Sequence, residues 1–205
     1  ERIGADPLLT RVGTLFHDIG KAANPLFFVE NQPPNQIDSH DDLPPEESAA
    51  IIIRHVTDGL ELAKKYRLPR RLSDFISEHH GTLTTRYQYN RALQKAKGAV
   101  SQVDESLFRY PGPSPQSKET AILMFADGVE ARARAEQPMN EEQMRLLVQD
   151  VIANRQKDGQ LNKTALTQKD LGEIAESFIA TLQVTYHPRL EYPQRPVEGE
   201  TEPTT

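Results

Sequence analysis

The fold class this sequence predicts is all-α, and three observations carry that prediction. Apolar residues recur at three- and four-residue intervals along most of the chain, as one face of a helix requires. The breaks between those stretches hold helix punctuation: Pro, Ser, Asn and Thr ahead, Gly behind. No stretch alternates apolar and polar residues over the length of a strand, and no internal repeat is present.

The first helix is predicted over residues 6–19, with Asp6 as cap, Pro7 in the first position and Leu9, Val12, Phe16 and Ile19 as the apolar stripe. Gly20 follows as its stop. Residues 22–43 are rich in Pro, Asn and Asp and lack a period, which marks a candidate active-site loop. A second helix opens at Pro44-Pro45, gains Glu46 and Glu47 at its positive end, and runs through Ile51-Ile52-Ile53-Arg54-His55 to about Tyr66. A third runs from Pro69 to about His80 and stops at Gly81; residues 84–97 form a mixed-polarity helix. The link Phe108-Arg109-Tyr110-Pro111-Gly112-Pro113 excludes regular structure. Ser114, with Pro115 behind it, is the predicted cap of a long helix to about Ala135. Helices over 140–157 and 167–184 follow, capped by Asn140 and Thr167. Residues 193–205 read as a disordered tail of Pro, Glu and Thr.

Composition bounds the function. The 205 residues suffice for one sizeable domain, and with 37% hydrophobic residues no apolar run has the length of a membrane span. Cysteine is absent, which excludes disulfides, thiolate ligands and a cysteine nucleophile. A formal net charge of −6 argues against binding nucleic acid polymers, which needs clustered Lys and Arg. It leaves room for a small phosphate ligand. The sequence opens on Glu1 within a helical region, which suggests a piece of a longer chain.

Chemistry concentrates in a few histidines and aspartates. His17-Asp18 closes an apolar helix, where a carboxylate sits at the unfavourable end of the dipole unless a cation offsets it. His55 follows three isoleucines and so lies near a buried face. His79-His80 stands at a helix end, the one arrangement in which adjacent residues can reach neighbouring points. Asp127 lies mid-helix with Leu123, Met124 and Ala131 on its face; a metal, or an arginine such as Arg54 or Arg86, would relieve its burial. Nitrogen and oxygen donors without sulfur suit Fe, Mn or Zn, and this many ligands suit two ions sharing a carboxylate. His40 reads as a loop hydrogen-bonder and His187 as a surface residue. Lys21, just past Gly20, and Lys118, in the first turn of the Ser114 helix, are candidate phosphate contacts.

His-Asp, a later His, a His-His pair and a final Asp together resemble the HD-domain phosphohydrolases. The surrounding strings narrow the likeness: Phe28-Val29-Glu30-Asn31-Gln32, His55-Val56-Thr57-Asp58-Gly59, His79-His80-Gly81-Thr82, the Phe108–Pro113 link and Ala126-Asp127-Gly128-Val129-Glu130-Ala131 resemble the HD domain of PgpH-type membrane proteins. The likeness extends through Tyr186-His187-Pro188-Arg189 and Tyr192-Pro193, so the expected organisation is an HD helical bundle over 1–192 and a tail over 193–205.

The resemblance implies a cytoplasmic domain whose parent lies in the cell membrane and which hydrolyses cyclic di-AMP to linear pApA. Two divalent ions, iron or manganese, would act through a bridging hydroxide. It implies one ion on His17, Asp18 and Asp127 and a second on Asp18, His55, His79 and His80. Asp18, Lys21 and Lys118 would serve the chemistry, and Arg109, Tyr110 and Lys118 would contact substrate. The pattern also implies a histidine upstream of the His-Asp pair, and none precedes His17 here. Ser114 stands where a lysine is common, and Gln88 where an aromatic is common. The alternatives are a nucleotide sensor with a vestigial site, or a cyclic di-GMP phosphodiesterase. The latter's Gly-Tyr-Pro signature is missing, although Tyr110-Pro111-Gly112 superficially resembles it.

Overall fold

Seven α-helices appear among the described residues of the computed structural model, which are 1–28, 31, 40 and 42–186. The loop string from Val29 to Gln32, apart from Asn31, lies outside them, as do His187, the remainder of the closing motif and the tail.

Helix α1 (Pro7–Phe16) is held at its start by Asp6, whose Oδ1 accepts from the Leu9 amide at 3.0 Å. It ends earlier than its apolar stripe predicts. His17 is its last helical residue, and Asp18 leaves the helix with φ −105° and ψ 15° to start a 3-10 turn, Ile19–Ala23. The reason is packing. Gly20 passes so close to α2 (Pro45–Lys65) that an added Cβ would fall 1.8 Å from the His55 carbonyl oxygen. Gly20 is therefore a point of backbone contact between the segments that carry Asp18 and His55 rather than a plain helix stop.

Helices α3 (Arg70–Glu78) and α4 (Arg86–Lys95) pack against α2, and α1 packs against α3 and α5 (Lys118–Glu136). Gly13 makes that possible by leaving room for the ring of buried Phe75. Between α3 and α4 the chain forms an antiparallel bridge, Thr84 with Arg109, flanked by Thr85 N–H to Phe108 O at 2.8 Å and Tyr110 N–H to Leu83 O at 2.9 Å. This bridge carries the irregular Phe108–Pro113 link back over the end of α3.

The helix predicted to open at Ser114-Pro115 opens three residues later. Ser117 is its cap, and Ser117 and Thr120 form a reciprocal capping box. Ser114 precedes a proline, which disfavours the helical region, and the Gln116 amide is already bonded to Glu78 Oε2 at 2.8 Å. Helices α6 (Glu141–Lys157) and α7 (Gln168–Thr185) start at Asn140 and Thr167 as expected. On α6 the buried residues are Met144, Leu147, Val148, Val151 and Ile152, one continuous stripe. They close a core with Phe125 and Val129 of α5 and Leu171, Ile174 and Ile179 of α7. A smaller cluster of Ala49, Ala92 and Phe108 joins α2 to α4. Each fully buried side chain of the size of Leu, Ile or Phe contributes about 1.5–3 kcal/mol.

Candidate metal centre

His17 at the end of α1, His55 in the middle of α2 and His79 at the end of α3 use one device. Each aims its Nδ1 at the carbonyl three residues back: Thr14 at 2.7 Å, Ile52 at 2.5 Å and Ile76 at 2.9 Å. A carbonyl only accepts, so Nδ1 carries the proton and Nε2 presents a lone pair. Ring orientation is thereby set by backbone that the helices have already fixed.

Those lone pairs meet at Asp18. The Nε2 of His17 lies 3.1 Å from Oδ2, and those of His55 and His79 lie 3.4 and 3.6 Å from Oδ1. None of these nitrogens has a hydrogen to give while its ring is neutral. Among the described residues, buried His17 Nε2 and Asp18 Oδ1 have no hydrogen-bond partner. The Nε2 atoms of His55 and His79 face each other at 3.2 Å, lone pair against lone pair unless a proton or a cation intervenes. A cation satisfies all of these groups at once, and imidazoles anchored through their other nitrogen are the usual form of metal-ligating histidine. Asp18, His55, His79 and His80 each offer a ligand atom, all within 4.8 Å of one another. That spread approaches the span of one ion with bonds of about 2.0–2.2 Å. The group could hold a metal ion.

His80 turns to the other side of the cluster. Its Nδ1 is 3.7 Å from Asp127 Oδ2, and its ring stacks on Tyr110 with centroids 4.2 Å apart and planes at 24°. His17 lies edge-on to His79, 4.9 Å between centroids. The six expected ligands thus form one connected patch, with Asp18, His55, His79 and His80 at its middle, His17 beside Asp18 and Asp127 beside His80.

The electrostatics are those of a cation site. Burial alone would raise the Asp18 pKa. The adjacent His17 and His79 rings, the charge of His17 and the charge of Lys21 outweigh it, holding the carboxyl well below the usual range. Lys21 contributes directly, with Nζ 2.7 Å from Asp18 Oδ2. Burial opposes charge on His17, but the adjacent Asp18 carboxylate outweighs it, and its pKa is raised. His55 is lowered to about 4, first by burial and then by the charge of His79. Burial, with the charges of His79 and His55, likewise takes His80 well below the ordinary imidazole range. Tyr110 is pushed up by burial and by the carboxylates of Asp127 and Asp18, so it remains a phenol.

Other expected residues lie elsewhere. Lys118 bonds the Ile3 carbonyl at 2.8 Å and Asp170 at 3.0 Å, and it stands nine residues before Asp127, about 14 Å along the helix axis. In this arrangement it ties the N-terminus to α7 instead of facing the cluster. Arg109 pairs with Glu105 at 2.6 Å and borders a neighbouring polar cavity, not the histidine cluster. His40 is buried as a hydrogen-bonder, with Nε2 to Phe27 O at 2.6 Å and Nδ1 to Ser48 Oγ at 2.9 Å. Gln88 is buried within α4.

Two supporting residues were missed in the sequence. Buried Glu78 bonds Thr120 Oγ1 and the Gln116 amide, fixing the end of α3 against the start of α5. Buried Gln160 accepts from the Thr82 amide at 3.0 Å and donates to Thr82 Oγ1 at 2.9 Å, clamping the turn that follows His79-His80. Only the polarity of Gln160 was visible, and a lone glutamine after a helix carries no period that predicts burial.

An all-α domain that draws a His-Asp pair, a further His, a His-His pair and a distant Asp into one metal-capable patch defines a class, and this chain belongs to the HD domain family, whose pattern matches residues 1–132. Its relatives are specific. It is 43% identical over 194 residues to the cyclic-di-AMP phosphodiesterase PgpH of Bacillus subtilis, covering 95% of this chain and 27% of that protein. It is 40% identical over 193 residues to PgpH of Listeria monocytogenes, covering 94% and 26%. The chain therefore spans about a quarter of the length of these curated relatives. The crystal structure of the L. monocytogenes PgpH HD domain superposes with a TM-score of 0.82 at 39% identity, covering 91% of this chain and 85% of that one. The same domain in complex with cyclic-di-AMP gives 0.84 at 38% identity, covering 90% and 84%. Among the described residues no helix is long and apolar enough to cross a membrane.

Proposed function

We propose that this chain is a metal-dependent phosphodiesterase domain that hydrolyses cyclic di-AMP to linear pApA. The observation that carries the reading is the convergence of three carbonyl-anchored imidazoles on the Asp18 carboxylate. The choice of substrate is supported by similarity to the PgpH proteins and to the HD domain solved with cyclic-di-AMP. The same similarity supports a parent protein in the cell membrane with this domain on the cytoplasmic side.

In this reading His17, Asp18 and Asp127 hold one divalent ion, and Asp18, His55, His79 and His80 hold a second. Iron and manganese are the ions the resemblance favours, and zinc is compatible with the same donors. Bound ions of this kind supply Lewis acidity toward phosphate oxygens and lower the pKa of water. The chain supplies the rest. His17 and His79, with Lys21 beside them, keep Asp18 ionised across the working pH range. Tyr110, stacked on His80, gives the site an apolar wall that orients the ligand and excludes bulk water. Water adds in line to one phosphorus, the bond from that phosphorus to the ribose 3′-oxygen breaks, and the proton ends on the released 3′-hydroxyl. The product is a linear dinucleotide with a 5′-phosphate.

The test is a cleavage panel with protein loaded with Mn²⁺ or Fe²⁺, separating cyclic di-AMP, cyclic di-GMP and pApA by chromatography. Cyclic di-AMP converts to pApA if the reading is right. Cleavage of cyclic di-GMP instead would reassign the substrate. Tight nucleotide binding without any cleavage by metal-loaded protein would replace the enzyme with a sensor.

A further inference from the structure

Next to the histidine cluster, a cavity of about 560 Å³ opens between α5, α6 and the segment from His80 to Arg86. His80, Tyr110, Asp127, Gly128, Arg132 and Arg155 are among the residues that line it. Its size is in the range of pockets for small organic ligands, about 300–1,000 Å³. It is continuous with the cluster through the His80–Asp127 pair.

Arg155 is the feature that the metal centre leaves unexplained. Arginines nearby are paired: Arg132 with Glu136 at 2.7 Å and Asp150 at 3.6 Å, Arg86 with Asp158 at 3.4 Å. Among the described residues Arg155 is in no ion pair, and its buried Nε has no hydrogen-bond partner. Burial and the charges of Arg86 and Arg132 depress its pKa, while Asp127 and Asp158 oppose that fall without approaching to ion-pair distance. Leaving a buried guanidinium hydrogen unsatisfied is costly, and an anion in the cavity would remove the cost.

Gly128 is the second, independent observation. A glycine inside a helix costs about 1 kcal/mol relative to alanine. A Cβ at position 128 would lie 2.9 Å from Arg155 Nη2 and 3.3 Å from Val151 Cγ1. The gap in α5 is where the guanidinium rests, one residue after Asp127. The helix that supplies a metal-capable carboxylate thus also seats a cation beside it.

We propose that Arg155 forms an anion subsite that holds the phosphate of the dinucleotide that is not being cleaved. This rests on the cyclic dinucleotide reading above. A cyclic dinucleotide has two phosphodiesters, and with one at the metal centre the other needs a partner of opposite charge nearby. The planar guanidinium fork suits that group and can donate two parallel hydrogen bonds. Arg155 acts in substrate positioning and has no part in bond breaking.

The experiment compares wild type with Arg155→Met and Arg155→Lys on two substrates, cyclic di-AMP and bis(p-nitrophenyl) phosphate, which has a single diester. For Arg155→Met, kcat/KM on cyclic di-AMP falls roughly 10- to 100-fold, mainly through KM, the loss expected for hydrogen bonds to a charged group. Activity on bis(p-nitrophenyl) phosphate and bound metal stay within about twofold, and Arg155→Lys recovers part of the loss. Melting temperature does not fall, because Met fills the space without an unsatisfied donor. Equal losses on both substrates, or none on cyclic di-AMP, would overturn the subsite. Calorimetry on metal-free protein separates this from failure of the proposed activity. If metal-loaded wild type leaves cyclic di-AMP intact, while metal-free wild type binds it and metal-free Arg155→Met binds it about tenfold more weakly, the subsite stands and the enzyme reading falls. Equal affinity, or no binding by wild type, overturns the subsite itself.

Discussion

At the scale of residues, the fixed Nδ1 of His17, His55 and His79 decides what the cluster can bind. With all three lone pairs aimed at Asp18, the carboxylate charge is the centre's keystone. Asp18→Asn keeps the shape and removes the charge. Metal retained after gel filtration, measured by elemental analysis, should drop to near zero, and cleavage should fall about 10³-fold, a loss of roughly 4 kcal/mol. Metal-free protein should also respond to acid. The His55 pKa is about 4 when folded and 6.5 unfolded, so between those values the unfolded chain binds the extra proton. Stability is therefore intact above about pH 6.5 and is lost as pH falls toward 4, by about 3 kcal/mol from this residue. His80 shifts in the same direction, and His17, raised, partly offsets them. Thermal melts of metal-free protein from pH 7 to 4 check the sign; a rise in melting temperature on acidification would contradict it. The identity of these residues was legible in the sequence because each sits beside apolar neighbours. Their common carbonyl anchor was not, since it depends on where each helix ends and on side-chain torsions.

At the scale of elements, the centre depends on how closely the 3-10 turn after α1 approaches α2. Gly20 sets that distance, with its missing Cβ 1.8 Å from the His55 carbonyl. Gly20→Ala should destabilise the domain by several kcal/mol, about 3 or more, and separate Asp18 from His55, so that denaturant melts and metal content fall together. Gln160→Ala should cost about 1–3 kcal/mol, because it leaves the Thr82 amide unsatisfied at the turn after His80. Metal content should respond less there than to Gly20→Ala. Helix existence was well legible: Asp6, Asn140 and Thr167 cap the helices they were expected to cap. Two boundaries were not. Ser114 lost to Ser117 because the Gln116 amide is taken by Glu78, a contact 38 positions away. The end of α1 was set by the approach of Gly20 to α2, which apolar spacing cannot reveal. Lys118, legible as a cation at a helix start, has its partner on α7, and nothing local announced that.

At the scale of the molecule, the proposed ligands come from the end of α1 and the turn after it, α2, the end of α3 and α5, and meet only when the whole fold is assembled, so in the proposed reading metal binding and folding are linked. Free metal at 100 times its dissociation constant should add about 2.7 kcal/mol, and removing it with a chelator should lower the melting temperature by about 5–11 °C for a domain of this size. The cavity between α5 and α6 extends that centre toward Arg155, joining the helices of the main core to the histidine patch. In the proposed function this patch cleaves a cyclic dinucleotide. The most direct measurement is the product formed from cyclic di-AMP by Mn²⁺-loaded protein, with Asp18→Asn alongside. Wild type should convert it to pApA, and the variant should form about 10³-fold less. Stoichiometric bound metal with cyclic di-AMP left intact, or equal cleavage by both proteins, would contradict the proposed function.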